Sequence, residues 1–305
     1  MERVRSMYLD GARSQWDPDR AIAWSIAVNY GGPIDPLVLS AAISTGAPFA
    51  SRDESVWRRF LWERQSWMVC QFLRGEEAAL VAAGRLLQSP LDVESKCFAA
   101  TQAADEARHV AVLGRYLREH VPEPYGPSVT FTRLVDSMLL DASWDIAALG
   151  MSILIEPLAF GCFRFASRIF HDELIRQIAG LLMRDEARHV AFGVLLLREH
   201  FIQMTEGERR YREEFAIEAL RVLRERFLLG EVWERLGVSV ARGTEFAATA
   251  PMLVDYQQAL FAAALTALQR VGMMSERVRA ACAKLRLLRS RAGRLPAVRD
   301  DPQSR

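Results

Sequence analysis

Two segments of the sequence carry the same combination of acidic and imidazole side chains. The segment that begins at Asp105 reads DEARHVAVLGRYLREHV, the segment that begins at Asp185 reads DEARHVAFGVLLLREHF, and 11 of 17 positions are identical. Each copy contains Glu-x-x-His, and the two pairs are Glu106 with His109 and Glu186 with His189. Positions i and i+3 of an α-helix lie on one face, about 4.5 Å apart along the axis, so each pair can point two ligand atoms at one spot.

A further glutamate precedes each copy at a constant distance. The interval from Glu76 to Glu106 equals the interval from Glu156 to Glu186, so these two glutamates belong to the same internal repeat. On the first helix Glu77 is an alternative ligand. Apolar neighbours such as Phe72 and the internal repeat favour Glu76, because the face of Glu77 includes Arg74.

Four carboxylates and two imidazoles around one point carry a formal charge of about −4, which two divalent cations neutralise. Their neighbours at helical spacing are apolar, so the alternative of a solvated or salt-bridged helix patch is disfavoured. Carboxylate and imidazole are ligands suited to iron or manganese. One Glu from each of two helices and Glu-x-x-His from two others is the ligand pattern of ferritin-like di-iron and di-manganese bundles.

Long helices must position these residues. Apolar side chains recur every three or four residues, which predicts four helices and no β-structure. We expect the first from the Ser51-Arg52-Asp53-Glu54 capping signal to Gln88. The second starts after Ser89-Pro90, with Asp92 and Glu94 in its first turn, and runs to about His120. The third runs from about Thr132 to Ile169, and the fourth from Asp172 to about Phe201. The predicted organisation is an all-α, ferritin-like four-helix bundle over 51–202 with an irregular segment over 1–50, two or three further helices over 203–292, and a disordered tail over 293–305.

Composition indicates a soluble globular protein. Half of the residues are hydrophobic and a quarter are charged, and 39 basic residues balance 38 acidic ones. This balance gives no reason to expect nucleic acid or a membrane surface as a partner. The apolar stretch from Ile146 to Phe163 contains Glu156, which favours a core helix over a membrane span. The N-terminal residues show no signal peptide, and four scattered cysteines suit a reducing compartment, so we expect a cytoplasmic protein.

The two DEARH segments match the D-E-x-R-H motif of bacterial multicomponent monooxygenases. Over roughly residues 55–202 the sequence resembles ferritin-like O2-activating di-iron proteins, near the aminobenzoate N-oxygenases. The resemblance implies that an aspartate accepts the free ring N–H of each metal-bound histidine and that an arginine pairs with each aspartate. The residues concerned are Asp105, Arg108, Asp185 and Arg188.

Three departures narrow the class that the resemblance suggests. Leu113 occupies the position of the radical tyrosine of ribonucleotide reductase small subunits, which disfavours that activity. Leu182 replaces the third histidine ligand of the aminobenzoate N-oxygenases. Phe160 replaces the threonine of the multicomponent hydroxylases.

These features predict an O2-activating non-haem di-iron oxygenase or oxidase, with two Fe or a Mn/Fe pair. We expect it to act on a small, largely apolar substrate by hydroxylation, N-oxygenation or desaturation, with an external electron-transfer partner and a homodimeric state. Alternatives are a ferritin-like iron-oxidising protein or a non-catalytic helical scaffold. The expected substrate pocket comprises Phe72, Leu73, Gln102, Leu113, Phe160, Met183 and Phe192. Pro157 predicts a helix kink beside Glu156.

Overall fold

The computed structural model describes residues 2–45, 49 and 53–288. These residues form helices, turns and loops, and no β-strand occurs among them. The helices are α1 (Glu2–Arg13), α2 (Pro18–Ala21), α3 (Pro36–Ser44), α4 (Glu54–Gln88), α5 (Val93–His120), α6 (Val129–Leu140), α7 (Trp144–Ala148), a π-helical segment (Leu149–Ile155), α8 (Glu156–Ile169), α9 (Glu173–Ile202), α10 (Glu206–Arg226), α11 (Gly230–Arg235), α12 (Val240–Thr249), α13 (Pro251–Arg270) and α14 (Glu276–Lys284).

Four long elements build the bundle that carries the site. Short connections make α4 antiparallel to α5, and α8 antiparallel to α9, and the two pairs pack together through α5 and α9. Aspartate caps fix where three of these helices begin. Asp53 accepts a hydrogen bond from the Ser55 backbone N–H, Asp92 from Ser95, and Asp172 from Ile175. The all-α fold class and the bounds expected for α4, α5 and α9 are thus confirmed to within a few residues.

The third long helix is not continuous, which corrects the sequence-based expectation. The side chain of Asp141 accepts a hydrogen bond from the Ser143 backbone N–H at 2.7 Å, a local turn that separates α6 from α7. Beyond α7 the chain adopts the wider π geometry, and the Glu156 N–H bonds to the Met151 carbonyl, five residues back. Pro157 lacks an N–H and cannot supply the next α-helical bond. The predicted irregularity therefore lies on the N-terminal side of Glu156.

The segments outside the bundle contain more helix than the sequence suggested. The expectation of an irregular stretch over 1–50 does not hold where α1, α2 and α3 form. Of these, α1 packs on α5 and α9. Five helices, instead of two or three, lie between residues 206 and 284, because turns at Gly237 and Gly272 and the start of a helix at Pro251 divide that part. The predicted tail over 293–305 lies outside the described residues.

The stretch Trp144–Ile169 is long and apolar enough to cross a membrane, yet 89% of its most apolar window is buried inside the protein. It packs against α9, α10 and α13. Its hydrophobicity is therefore that of a core element, as Glu156 in its middle indicates.

Candidate metal centre

All six predicted ligands converge inside the bundle. Their exposed fractions are at most 3%: Glu76 3%, Glu106 0%, His109 0%, Glu156 2%, Glu186 1% and His189 0%. Their ligand atoms, one from each residue, form two groups that share Glu106. Within each group the atoms lie within 4.8 Å of one another. The first group is Glu76, Glu106, His109 and Glu186, and the second is Glu106, Glu156 and His189.

The Nδ1 atoms of the two histidines mark two centres. His109 Nδ1 lies 3.0 Å from Glu76, 3.2 Å from Glu106 and 3.6 Å from Glu186. His189 Nδ1 lies 3.1 Å from Glu106 and 3.6 Å from Glu186. Glu106 and Glu186 therefore lie between the two imidazoles. Glu76 belongs to the His109 side and Glu156 to the His189 side.

Glu77 lies outside this cluster. Its carboxylate pairs with Arg74 at 2.6 Å, and its side chain is 41% exposed. Since α4 turns by about 100° per residue, only one of two adjacent glutamates can face the core. The structure thus places Glu76, the residue favoured by the repeat, in the cluster.

The outer ring nitrogens bind aspartates from the opposite repeat. His109 Nε2 lies 3.0 Å from Asp185, and His189 Nε2 lies 3.1 Å from Asp105. Arg108 pairs with Asp105 and lies 3.2 Å from Asp185. Arg188 lies 2.6 Å from Asp185 and 3.2 Å from Asp105. Each arginine therefore holds both aspartates, and the crossed pairing fixes the two histidine rings with Nδ1 facing inward.

Two residues that the sequence analysis missed complete this layer. Gln15 Nε2 donates to Asp105 at 2.7 Å, and the indole N–H of Trp16 donates to Asp185 at 2.8 Å. The Arg108 guanidinium lies 4.6 Å above the Trp16 ring. Both residues follow directly after α1. No motif in the sequence connects positions 15 and 16 with positions 105 and 185, so only the tertiary structure reveals them.

Burial and mutual repulsion dominate the electrostatics of the cluster. Burial, together with the charges of Glu186 and Glu106, raises the pKa of Glu76 and of Glu156 well above the usual value. Burial also opposes ionisation of Glu106, but the adjacent His189 and His109 hold the pKa of Glu106 well below its usual value. Without added positive charge, the four carboxylates cannot all be ionised cheaply.

The donor atoms fit a pair of cations. Both carboxylate oxygens of Glu186, one oxygen each of Glu106 and Glu156, and Nδ1 of His189 are buried without a properly oriented hydrogen bond among the described residues. Several of these atoms nevertheless lie within 3.6 Å of one another. Lone pairs that converge without hydrogen bonds are costly unless a cation satisfies them. Two divalent ions would do so and would neutralise the four carboxylates.

The close approach of the π segment to α9 brings Glu156 to the cluster. A Cβ atom added at Gly193 would lie 2.3 Å from the Ser152 Cβ, so only glycine allows this packing. Gln102 Nε2 donates to Glu156 at 2.6 Å and lies 3.4 Å from Glu106. The structure thus places Gln102, expected in the substrate pocket, in hydrogen-bond contact with two of the carboxylates.

The pocket beside the cluster differs from the expected one. A cavity of about 50 Å³ is bounded by α4, the π segment, α8 and α10 and reaches Glu76, Glu156 and Glu186. Of the seven expected lining residues only Phe72 contributes to it. Leu113 and Phe192 are fully buried on α5 and α9, away from this face, and Phe192 stacks on Phe98. Phe160 lines a separate groove between α8, α9 and α13.

Leu73 and Met183 are partly buried and pack against the core, but neither lines this cavity. Residues at helical spacing on α4 and side chains of α10, which no repeat predicts, form its walls. These include Gln71, Ala79, Leu223 and Arg226. The expectation took residues from all sides of the ligand helices, whereas this cavity lies on the side of the cluster that faces α4 and α10.

Comparison with known proteins finds likeness only at the level of structure. No protein-family model matches the sequence, and no curated protein matches it. A crystal structure of R2-like ligand-binding oxidase from Sulfolobus acidocaldarius superposes with a TM-score of 0.52 and 18% identity, over 87% of this chain and 89% of that one. R2-like ligand-binding oxidase with a reconstituted Mn/Fe cofactor gives 0.52 and 20%, over 89% and 92%. The chain therefore has the ferritin-like helical fold of the R2-like ligand-binding oxidases.

Proposed function

We propose that this protein is an O2-activating, non-haem di-metal oxidase or oxygenase. The single observation that carries the proposal is the convergence of six buried carboxylate and imidazole ligands on two adjacent centres, beside an apolar cavity. In this proposal Glu76, Glu106, His109, Glu156, Glu186 and His189 hold two Fe ions or one Mn and one Fe. Structures with the same fold carry a Mn/Fe cofactor, which supports that choice.

When bound, a pair of redox-active ions supplies the electrons that reduce O2 and the oxidising power that acts on the substrate. The protein contributes geometry and exclusion of water. Glu106 and Glu186 lie between the two imidazoles and would help to hold the pair of ions, and Asp105 and Asp185 keep the histidine rings oriented. The apolar walls of the cavity, such as Phe72 and Met151, would admit a small, largely apolar organic substrate and keep bulk water away.

The proposal includes three further elements. Because the sequence shows no flavin or nicotinamide fingerprint, an external electron-transfer partner delivers the reducing equivalents. The protein acts as a homodimer in the cytoplasm. It is an oxidase or oxygenase and not a mineralising iron store, which the additional helices α10 and α13 favour, since both pack on the π segment that precedes Glu156.

Metal content and O2 stoichiometry test this proposal. After anaerobic loading with Fe(II), elemental analysis should find about two ions per chain, and His109→Ala or His189→Ala should lose most of them. His120→Ala is the matched control, because His120 lies in the last turn of α5, away from the cluster. On exposure to O2, the oxidation of iron should stop after a single turnover, at two irons per chain. Continued oxidation of many irons per chain would instead identify a ferroxidase.

A further inference from the structure

Two polar residues in the wall of the otherwise apolar cavity have no role in the metal cluster. Gln71 of α4 and Arg226 of α10 both line the cavity that reaches Glu76, Glu156 and Glu186. A guanidinium N–H of Arg226 donates to the side-chain oxygen of Gln71. The two residues thus form one polar site across the gap between α4 and α10.

Two hydrogen-bond donors of this polar site have no acceptor among the described residues. Arg226 Nε and Gln71 Nε2 are both shielded from solvent and have no hydrogen-bond partner among the described residues. Both atoms carry only donor hydrogens, so an acceptor is what they lack. Leaving two such donors unsatisfied in a core costs stability, and a ligand that supplies an acceptor would recover that cost.

The charge of Arg226 is also uncompensated. It forms no ion pair with a described carboxylate. The charge of Glu231 favours the protonated guanidinium through space, but the Glu231 carboxylate accepts the indole N–H of Trp67 at 3.1 Å. The guanidinium lies 3.8 Å above the Phe131 ring, which orients it but supplies no negative charge. Burial lowers the pKa of Arg226 to about 10, so the group stays protonated at neutral pH.

The position of this site relative to the carboxylate cluster fixes how a ligand would lie. Gln71 precedes Glu76 by five residues on α4, which corresponds to about 7.5 Å along the helix axis. The wall of the cavity also includes the apolar residues Phe72, Ala79 and Met151. A negative group is attracted to the guanidinium of Arg226, so it should occupy the Arg226 end of the cavity.

We propose that the cavity binds an organic anion whose charged group is held by Arg226 and Gln71 and whose apolar body points toward the metal cluster. This assignment rests on the proposed function for the identity of the ligand as a substrate, but the anion site itself needs no metal. A cavity of about 50 Å³ suits a small body such as a short aliphatic chain. Its charged group is a carboxylate or a chemically similar oxyanion.

Binding to the full-length protein tests the assignment in both metal-free and metal-loaded forms. The probes are short straight-chain carboxylic acids, each compared by calorimetry with its primary amide. We expect the acids to bind about tenfold or more tightly than the amides, with the preference present in the metal-free form. Equal affinities of acid and amide would overturn the proposal. A preference that appears only after metal loading would place the anion on the metals and would also overturn it.

Two variants locate the site. Gln71→Glu introduces a carboxylate next to Arg226, which should occupy the guanidinium internally and abolish the acid preference in a folded protein. Arg226→Gln should give the same loss. Arg224→Gln is the matched control, because Arg224 is a buried arginine of the same helix that does not line the cavity. Retention of the acid preference in Gln71→Glu and Arg226→Gln would overturn the assignment.

The test separates this inference from the proposed function. If acids bind through Arg226 but the iron-loaded protein consumes no O2, the anion site stands and the oxidase proposal fails. If O2 is consumed in a single turnover but acids bind no better than amides, the oxidase proposal stands and the anion site fails.

Discussion

Single side chains decide whether the cluster repels itself or binds metal. Glu76 is the clearest case, because its carboxylate is buried 3.0 Å from His109 Nδ1 while its neighbour Glu77 pairs with Arg74 at the surface. The pKa of Glu76 is raised by burial and by the charges of Glu186 and Glu106. The ionised carboxylate therefore costs stability when no cation is present, and the same carboxylate contributes binding energy when one is.

Replacement of Glu76 by Gln should change stability in opposite directions in the two forms. Without metal, Glu76→Gln should raise the melting temperature at neutral pH by a few degrees, since an isosteric neutral group relieves the repulsion. After loading with iron, the variant should contain less metal and melt lower than the wild type. Differential scanning calorimetry with elemental analysis measures both effects.

Glu77→Gln is the control, and it should alter either melting temperature by less than the equivalent of about 0.5 kcal/mol. If Glu77→Gln showed the reversal and Glu76→Gln did not, the ligand would be the neighbouring residue.

At the scale of elements, the fit between α9 and the π segment sets the position of Glu156. Gly193 faces Ser152 so closely that a methyl group would overlap it, whereas Gly180 of the same helix has no non-local atom within 4 Å of an added Cβ. Gly193→Ala should therefore destabilise the protein by about 1–3 kcal/mol and reduce metal content, because the π segment must shift away. Gly180→Ala should be neutral or stabilising by up to about 1 kcal/mol. Urea unfolding of both variants provides the comparison, and equal effects would show that the contact is unimportant.

The connection after α1 is a second element that acts on the cluster from outside. Trp16→Phe removes the indole N–H that holds Asp185 and should weaken metal binding about 10- to 100-fold while leaving the fold intact. Trp24→Phe is matched to it, since the Trp24 indole N–H donates to the Pro18 carbonyl at 3.0 Å and touches neither aspartate. Competition with a chelator gives the affinities. Similar losses in both variants would mean that Trp16 acts only through general packing.

At the scale of the whole molecule, acid stability should depend on His171 at the junction of α8 and α9. Burial and the nearby Arg64 lower the pKa of His171 to about 4 from its usual 6.5. The unfolded chain then binds a proton at a higher pH than the folded chain. The stability that the neutral imidazole contributes is present above about pH 6.5 and is lost as the pH falls toward 4.

His171→Gln should consequently lose less free energy of unfolding than the wild type as the pH falls from about 6.5 to 4. Denaturant unfolding of the metal-free protein at several pH values measures the difference, and comparison of two metal-free proteins cancels the groups they share. Parallel curves for wild type and variant over that range would refute the prediction.

The candidate ligands of the proposed metal centre could be predicted from local sequence patterns. Glu-x-x-His spacing is a local property of any helix, and the internal repeat, in which Glu76 and Glu156 precede their pairs by the same interval, shows that two such pairs share one plan. Apolar periodicity and aspartate caps are equally local, so the bounds of α4, α5 and α9 were predictable. These features depend on neighbours within one or two turns, which sequence reasoning can evaluate.

The remaining features of the site depend on contacts between residues that are distant in sequence. The crossed pairing of each histidine with the aspartate of the other repeat, the contacts of Gln15 and Trp16, and the cavity wall from α10 all join residues far apart in sequence. The π geometry before Glu156 likewise arises where Pro157 removes one hydrogen bond and α9 approaches at Gly193. Such contacts follow from how whole helices pack, and packing depends on the shapes of several elements at once, which no single segment encodes.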